Sequence, residues 1–170
     1  YAAFQKHLLA NEILVLAHHQ QDQAETVLLR LLSGTGIHGL AAMQSIDIRE
    51  KFTIWRPLLA LSRQQIELWA AEMQLRNIQD QTNFDTSYDR AWCRAELWPI
   101  LEKRFPKMQQ ALARTSYLMQ DAETILADVL AQDWASCGNA SVLNLTSFRQ
   151  LSAPRQRQLL SAWMKGEDLY

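Results

Sequence analysis

Three residues near the start of the chain have side chains that can bind a charged ligand and exchange protons with it. His18 directly follows the apolar run Ile13 to Ala17, and Asp22 and Glu25 come shortly afterwards, three residues apart. Because residues three apart share one face of an α-helix, the two carboxylates can point toward one ligand beside the imidazole. The spacing therefore predicts a small acid–base site with His18, Asp22 and Glu25 as catalytic candidates.

The same residue types also occur where a strand simply ends and a helix begins. Acidic residues are favoured in the first turn of a helix because of the helix dipole, and histidines are common polar residues at strand ends. A zinc site is less well supported than either of these alternatives. The three residues span a strand-to-helix turn and lack the pair of histidines, one helical turn apart, of a helical metalloprotease. The residues alone leave a ligand site and an ordinary helix start both open, and we predict no metal site.

The elements around these residues are expected to place them at the edge of a sheet. Ile13 to Ala17 is a continuous apolar run with β-branched members, which predicts a strand buried on both faces, as in a parallel sheet covered by helices. A helix is predicted to follow and to continue to about Leu32. Ligand sites in such sheets lie at the carboxyl ends of the strands, where His18, Asp22 and Glu25 stand.

Short strands and a helix are predicted next. The segments Ile46 to Ile48 and Phe52 to Trp55 flank a polar tripeptide and indicate a hairpin or two short strands. Ser62 and Gln65 form a capping-box pattern at the start of a helix. The apolar face of that helix consists of Ile66, Trp69, Ala70 and Met73. A polar loop is predicted from Asn77 to Thr86.

The remainder of the chain is predicted to be mainly helical. Apolar residues recur at helical spacing from Met108, which indicates a long amphipathic helix ending near Trp134. A short extended segment is predicted from Ser141 to Leu145, and a last helix from Ala153.

Two prolines mark the transition between the two parts of the chain. Pro99 and Pro106 can each occupy the first turn of a following helix but would break a helix interior. We therefore place a domain boundary near Phe105. Residues 1–105 are predicted to be an α/β remnant, the C-terminal half of a doubly wound domain with a parallel sheet. Residues 106–170 are predicted to be a truncated, mainly α-helical domain, so that helix dominates overall.

Composition favours an intracellular protein. The chain has 170 residues, 48% of them hydrophobic, and no apolar run near membrane-spanning length, so it can bury a core without lipid. Cys93 and Cys137 lack the CxxC spacing of a zinc ribbon or a dithiol redox site. Both are expected to be reduced thiols in the cytosol, and no secretory leader is expected.

The formal net charge of −1 hides an alternation of charge along the chain. One basic interval contains Arg90, Arg94, Lys103, Arg104, Lys107 and Arg114. An acidic stretch with Asp121, Glu123, Asp128 and Asp133 follows, and a second basic interval contains Arg149, Arg155, Arg157 and Lys165. Such intervals can bind phosphates locally, although solvated helix faces would give the same pattern.

Four motifs in order resemble one family. The stretch AHHQQDQAETVLLRLLSGTGIHGLAAM resembles the second conserved block of the bacterial tRNA(Ile)-lysidine synthetases, members of the PP-loop ATP pyrophosphatase superfamily. Arg56-Pro57-Leu58-Leu59 is similar to the family's Arg-Pro-Leu-Leu. Asp80-Gln81-Thr82-Asn83, followed by Tyr88-Asp89-Arg90 and Arg94, resembles its next block. The family usually has Arg-Asn where this chain has Arg90-Ala91, so any role of that asparagine is absent or replaced here.

The phosphate-binding turn of the family, Ser-Gly-Gly-x-Asp-Ser, does not occur in the chain. The glycine cluster Gly34-Thr35-Gly36 with Gly39 follows the predicted helix, so it indicates a helix stop and turn instead of a phosphate loop. We therefore expect the chain to be a fragment without its nucleotide-binding part, and to be inactive alone.

The resemblance implies a specific reaction. Such an enzyme uses ATP and Mg²⁺ to adenylate the C2 oxygen of the wobble cytidine in tRNA(Ile) with the anticodon CAU, and free L-lysine then displaces AMP. Asp22 and Glu25 would bind the lysine ammonium and accept its proton, and His18 would lie near the adenylate or the cytidine. Contacts to tRNA are predicted for Arg56, Arg90, Arg94, Arg104 and Lys107. The enzyme would be cytoplasmic, with no membrane partner, and could form a homodimer.

Two rival functions stay open. A tRNA thiolase of the same superfamily would share the strand, the histidine and the acidic helix, but such enzymes commonly use cysteine pairs that this chain lacks. A non-catalytic helical interaction module would describe the residues beyond Phe105.

Overall fold

The computed structural model describes residues 4, 6–9, 12–49, 51–76, 78, 84–139 and 141–165. Within these residues the strands are β1 Ile13–Val15, β2 Ile46–Ile48 and β3 Thr53–Trp55. The α-helices are α1 Gln20–Leu32, α2 Ile37–Leu40, α3 Arg63–Glu72, α4 Asp89–Trp92, α5 Trp98–Arg104, α6 Met108–Cys137, α7 Leu145–Gln150 and α8 Ala153–Lys165. A π-helical turn, Cys93–Leu97, joins α4 to α5.

The strands form one small mixed sheet in the order β1-β3-β2. β2 and β3 make the predicted hairpin, with Asp47 opposite Ile54. β1 pairs with β3 in parallel, with Leu14 opposite Ile54. The predicted combination of an α/β part with a helix-dominated remainder is confirmed.

The prediction that the first strand is buried on both faces is wrong for the described residues. The strand ends at Val15, before the end of the apolar run, and the side chains of Ile13 and Val15 are more than half exposed. Trp55 and Ile46 lie on the same exposed face, whereas Ile54 is fully buried on the other face. An apolar run shows that a strand can be buried, but it does not show which elements cover each face.

Helix α1 begins and ends as the sequence predicts. The backbone N–H of His19 donates to Oδ2 of Asp22 at 2.9 Å, which fixes the first turn. Gly34 has a φ of +73°, and its N–H donates to the Leu31 carbonyl. Glycine adopts this left-handed conformation without steric cost, so the helix stops here and the glycine cluster forms the turn into α2.

The capping box of α3 is also confirmed. The Gln65 N–H donates to Oγ of Ser62 at 3.2 Å, and the Ser62 N–H donates to Oε1 of Gln65 at 2.9 Å. The apolar face of α3 is only partly covered, because Trp69 is 47% and Met73 69% exposed. Most of the polar loop predicted from Asn77 to Thr86, including the Asp80–Asn83 motif, lies outside the described residues.

A buried cluster connects α1 to the helices that follow the π-helical turn. Ala24 of α1 packs with Trp98 of α5 and Met108 of α6. The cluster is extended by the partly buried Leu28, Leu101 and Leu112. Gln23 is fully buried beside this cluster, and its Nε2 donates to the Met43 carbonyl at 2.8 Å and to Oγ of Ser116 at 2.9 Å. These contacts fix the orientation of α1, and therefore of the acidic residues it carries.

The chain divides into two compact units, Tyr1–Gln120 and Asp121–Tyr170, and the division falls inside α6. The domain boundary predicted near Phe105 stays a prediction. Helix α6 continues to Cys137, slightly beyond the expected end near Trp134. In place of the predicted extended segment, Leu143 forms a β-bridge with Gly138, and helix α7 already begins at Leu145. No helix of the described residues, α6 included, combines the length and the apolar character needed to cross a membrane.

Candidate active site

The predicted site residues His18, Asp22 and Glu25 lie at the carboxyl end of β1 and along the first two turns of α1. His18 belongs to the connection between the strand and the helix. Asp22 and Glu25 project from the same face of α1, since one guanidinium group contacts both of them. The geometry expected from their spacing is therefore present.

That guanidinium belongs to Arg94, which lies on the π-helical turn. Its Nε donates to Oε1 of Glu25 at 2.6 Å, and its Nη2 donates to Oε2 of Glu25 at 2.8 Å. The same Nη2 lies 3.2 Å from Oδ1 of Asp22. Two parallel bonds from one guanidinium to one carboxylate are among the strong charge-assisted contacts in proteins. We call Asp22, Glu25 and Arg94 the acidic triad.

The members of the acidic triad differ in exposure. The Glu25 side chain is 0% exposed, that of Asp22 13% and that of Arg94 29%. Glu25 also accepts a hydrogen bond from Nε2 of Gln21 at 3.0 Å. The hydrogen bond to Glu25 raises the pKa of Arg94, and the charges of Glu25 and Asp22 act in the same direction against the effect of burial. The guanidinium therefore stays charged, and the triad has a net charge of −1 when both carboxyl groups are ionised.

His18 lies close enough to the triad to interact with it electrostatically. Burial lowers the pKa of His18 below its usual value; the Asp22 charge opposes that effect, and Arg56, Arg90 and His19 add to it. The lowered pKa of His18 favours the neutral imidazole, and its Nδ1 is a buried ring nitrogen without a hydrogen-bond partner among the described residues.

Arg90 lies beside the triad without joining it. Its Nη2 donates to Oγ1 of Thr26 at 2.9 Å, and that hydroxyl donates to the Asp22 backbone carbonyl at 2.7 Å. Arg90 is exposed. A charged, exposed guanidinium next to His18 is suitably placed for an anionic group of a ligand.

Arg56 contacts the protein's own loops in this structure. It is 3% exposed, and its Nη1 donates to the Gln44 carbonyl at 2.8 Å. Its Nη2 lies 3.9 Å from Oδ2 of Asp47. These contacts join the segment after β3 to β2, so the structure shows an organising role for Arg56 at the base of the hairpin.

Arg104 and Lys107, the remaining predicted tRNA contacts, line a groove that includes no member of the acidic triad. Both are exposed at the rim of an open apolar groove of about 570 Å³ between α1, α5 and α6. The floor of the groove includes Leu28, Leu101, Phe105, Met108 and Leu112. The Arg104 guanidinium lies over the ring of Phe105, 5.6 Å from its centroid. The structure therefore divides the predicted tRNA contacts into those near His18 and those at this groove.

Sequence reasoning does not single out His19, Gln21 and Thr26 as parts of the site. Besides its backbone bond, His19 has its Nε2 3.5 Å from Oδ2 of Asp22. Its spacing of three from Asp22 is the capping-box spacing, which is a usable signal. Gln21 and Thr26 are identifiable only as residues one turn from Glu25 and Asp22, respectively.

The described residues contain neither a phosphate-binding glycine turn nor a cluster of metal-ligating side chains. The glycine cluster connects the carboxyl end of α1 to the four-residue helix α2 and does not follow a strand, unlike a phosphate-binding loop. No group of three or more His, Cys, Asp or Glu side chains in the described part of the chain is placed to hold a metal.

Comparison with known proteins identifies the class. The profile of the PP-loop domain matches residues 1–101, and the chain belongs to that family. The chain is 61% identical over 170 residues to a tRNA(Ile)-lysidine synthase of Acinetobacter baylyi, covering 100% of the chain and 37% of the relative. A tRNA(Ile)-lysidine synthase of Actinobacillus pleuropneumoniae is 40% identical over 167 residues, which are 97% of the chain and 40% of the relative. One of Shigella flexneri is 37% identical over 169 residues, 99% of the chain and 39% of the relative. The chain thus spans well under half the length of these relatives.

Proposed function

We propose that the chain is part of a tRNA(Ile)-lysidine synthase and contributes the lysine-binding side of its active site. The reaction joins lysine to the wobble cytidine of tRNA(Ile) with the anticodon CAU, which changes codon recognition from AUG to AUA. The observation that carries the proposal is the acidic triad beside His18, in a chain 61% identical to a lysidine synthase. The identity supports the reaction, and the triad supplies groups that suit one of its substrates.

The charge of the triad suits the lysine side chain. Two carboxylates against one guanidinium leave one negative charge, which an ammonium group can balance. Asp22 is the more accessible carboxylate, because Glu25 is fully buried and held by Arg94 and Gln21. Asp22 therefore makes the direct contact to the ammonium in our proposal, and Glu25 completes the negative field behind it.

Lysine must lose a proton before it can attack. In the proposed step the ε-amine nitrogen forms a bond to C2 of the adenylated cytidine, and the bond from C2 to the oxygen of AMP breaks. The ammonium proton passes to Asp22 or to the neutral imidazole of His18. A histidine whose pKa is lowered by burial is a suitable acceptor, because it is unprotonated at neutral pH.

The exposed cations are proposed to bind the tRNA. Arg90 acts electrostatically on His18 and is suited to a phosphate of the reacting nucleotide or of the adenylate. Arg104 and Lys107 lie at the apolar groove and would bind backbone phosphates further away. Arg56 would act through the loops that it holds.

ATP and Mg²⁺ belong to the proposal for a full-length form, by which we mean this chain together with the further segments its relatives have. When bound there, ATP supplies the AMP group that activates the cytidine. The 170-residue chain alone is expected to bind ATP only weakly and to form no AMP.

Two assays test the proposed function. A full-length form should transfer labelled lysine to tRNA(Ile) with a CAU anticodon in the presence of ATP, and should release AMP. Incorporation of sulfur instead of lysine would support the thiolase alternative, which the structure does not favour, since Cys93 and Cys137 are both buried. Burial also raises the pKa of Cys93, which makes it a poor nucleophile. Absence of lysine transfer in a form that binds both ATP and this tRNA would overturn the proposed function.

A further inference from the structure

Arg94 belongs to the first basic interval of the sequence, but in the structure its guanidinium contacts two carboxylates of the same chain. Its Nε and Nη2 atoms bind both oxygens of Glu25, and Nη2 also reaches Asp22. The Nε–Nη2 edge, one of the two edges with which a guanidinium binds a phosphate in bidentate fashion, is therefore already used within the protein.

The burial of Glu25 shows what Arg94 does there. An ionised carboxylate that is 0% exposed is strongly destabilised unless a cation and hydrogen-bond donors satisfy it. Asp22 lies one turn away on the same helix face, and two like charges in this arrangement repel each other. A guanidinium between them removes both problems and fixes the orientation of the two carboxylates at the same time.

We propose that Arg94 is a positioning residue that holds Asp22 and Glu25 as an ionised pair whose remaining negative charge attracts one ammonium group, and that it does not contact tRNA phosphate. This inference rests on the proposed function, because the ammonium is that of the lysine substrate. A monocation balances the triad. The site as a whole then selects an alkylammonium side chain over a neutral or acidic one.

A double-mutant cycle tests this role. Arg94→Gln leaves Glu25 without its cation, and Glu25→Gln leaves Arg94 without its acceptor, so each change alone should raise the KM for lysine about tenfold or more. The double variant Glu25→Gln with Arg94→Gln keeps Asp22, restores the charge of −1 and lets two amides face each other. If the two changes acted independently, their effects on the KM for lysine would multiply. The KM of the double variant should be at least about threefold lower than that product. Arg94→Lys keeps the charge but loses the bidentate geometry, so its KM should lie between wild type and Arg94→Gln.

The control is a surface pair with similar geometry. Nε of Arg63 lies 2.8 Å from Oε1 of Glu67, but these side chains are 61% and 62% exposed. The cycle of Arg63→Gln and Glu67→Gln should show no coupling in the lysine KM, since an exposed pair contributes little and lies outside the triad.

Two further measurements separate a positioning role from the alternatives. The KM for ATP should be unchanged in all Arg94 variants, whereas a general loss of folding would change all parameters together. The salt dependence of tRNA binding should also be unchanged; a slope shallower by about one unit in Arg94→Gln would assign Arg94 to a phosphate and overturn the inference.

The same double-mutant cycle can be measured on lysine affinity by calorimetric titration, which does not depend on catalysis. Coupling in lysine binding without lysidine formation would refute the proposed reaction and support the role of Arg94, and additive effects would refute that role.

Discussion

In the first compact unit, Arg94 lies between two carboxylates, whereas in the second unit Arg155 of α8 pairs with the single carboxylate of Asp133 on α6. The two arrangements share several features. Each has a nearly or fully buried acid, since Glu25 is 0% and Asp133 2% exposed, and each has an arginine that binds both oxygens of that acid. They differ in charge, because the pair in the second unit is neutral and the acidic triad has one negative charge left over.

This difference separates two uses of the same chemistry. A balanced pair satisfies a buried carboxylate and connects two helices, and it has no net charge with which to attract a ligand. An unbalanced triad satisfies its buried member and still presents a charged, partly exposed one, Asp22. Proximity of arginine and carboxylate is therefore a weaker sign of function than the charge that remains after pairing.

The largest effect should come from removing that remaining charge. Asp22→Asn keeps the shape of the side chain but leaves Arg94 and Glu25 as a neutral pair, like the one in the second unit. Since charge-assisted contacts contribute about 1.5 to 3 kcal/mol, kcat/KM for lysine should fall roughly ten- to hundred-fold in a full-length form. Steady-state kinetics with varied lysine measure this, and wild-type lysine kinetics in Asp22→Asn would remove the basis of the comparison.

The converse change is expected to affect stability alone. Asp133→Asn removes the partner of Arg155 in the second unit and weakens the contact between α6 and α8. The thermal unfolding midpoint should fall, while the KM for lysine stays at the wild-type value. Both can be measured on one preparation. An altered lysine KM at an unchanged midpoint would show that the balanced pair is not merely structural.

The elements of the site are more predictable from the sequence than the contacts within it. The start of α1, its stop at Gly34 and the shared face of Asp22 and Glu25 follow from local rules about spacing, capping and glycine. The pairing of Arg94 with Glu25 spans 69 positions and depends on how the π-helical turn packs against α1. No local pattern encodes such a distance, so the sequence predicts Arg94 only as a tRNA contact. The exposure of β1 escapes prediction for the same reason, since covering a strand depends on distant elements.

Protonation of His18 is expected to have a smaller effect, on stability and on the rate of lysine transfer at low pH. Burial lowers its pKa below 6.5 in the fold, against the charge of Asp22 and together with Arg56, Arg90 and His19. The contribution of His18 to stability is therefore present above pH 6.5 and is lost as the pH falls through the lowered value. In the lysine-transfer step, the acidic limb of the wild-type rate should have its midpoint below pH 6.5 and should be absent in His18→Gln. A limb at higher pH, or one that persists in the variant, would exclude His18 as the proton acceptor.

The smallest expected effect is on tRNA affinity, when exposed cations of the two units are replaced. These cations allow the two units to be compared a second time, now through solvent-exposed charges instead of buried ion pairs. Arg104 and Lys107 lie at the apolar groove of the first unit, and Arg149 and Arg157 are exposed on α7 and α8 of the second. If the first unit binds the tRNA backbone, each alanine substitution at Arg104 or Lys107 should weaken binding and make the salt slope shallower by up to about one unit. We expect a smaller change for Arg149 and Arg157, and Arg155 is already engaged with Asp133. Affinity for tRNA(Ile) across a salt series gives both quantities. Equal slopes for wild type and the Arg104 and Lys107 variants would mean that these cations are solvated helix charges, and RNA contact would then have to come from Arg90 or from segments outside this chain.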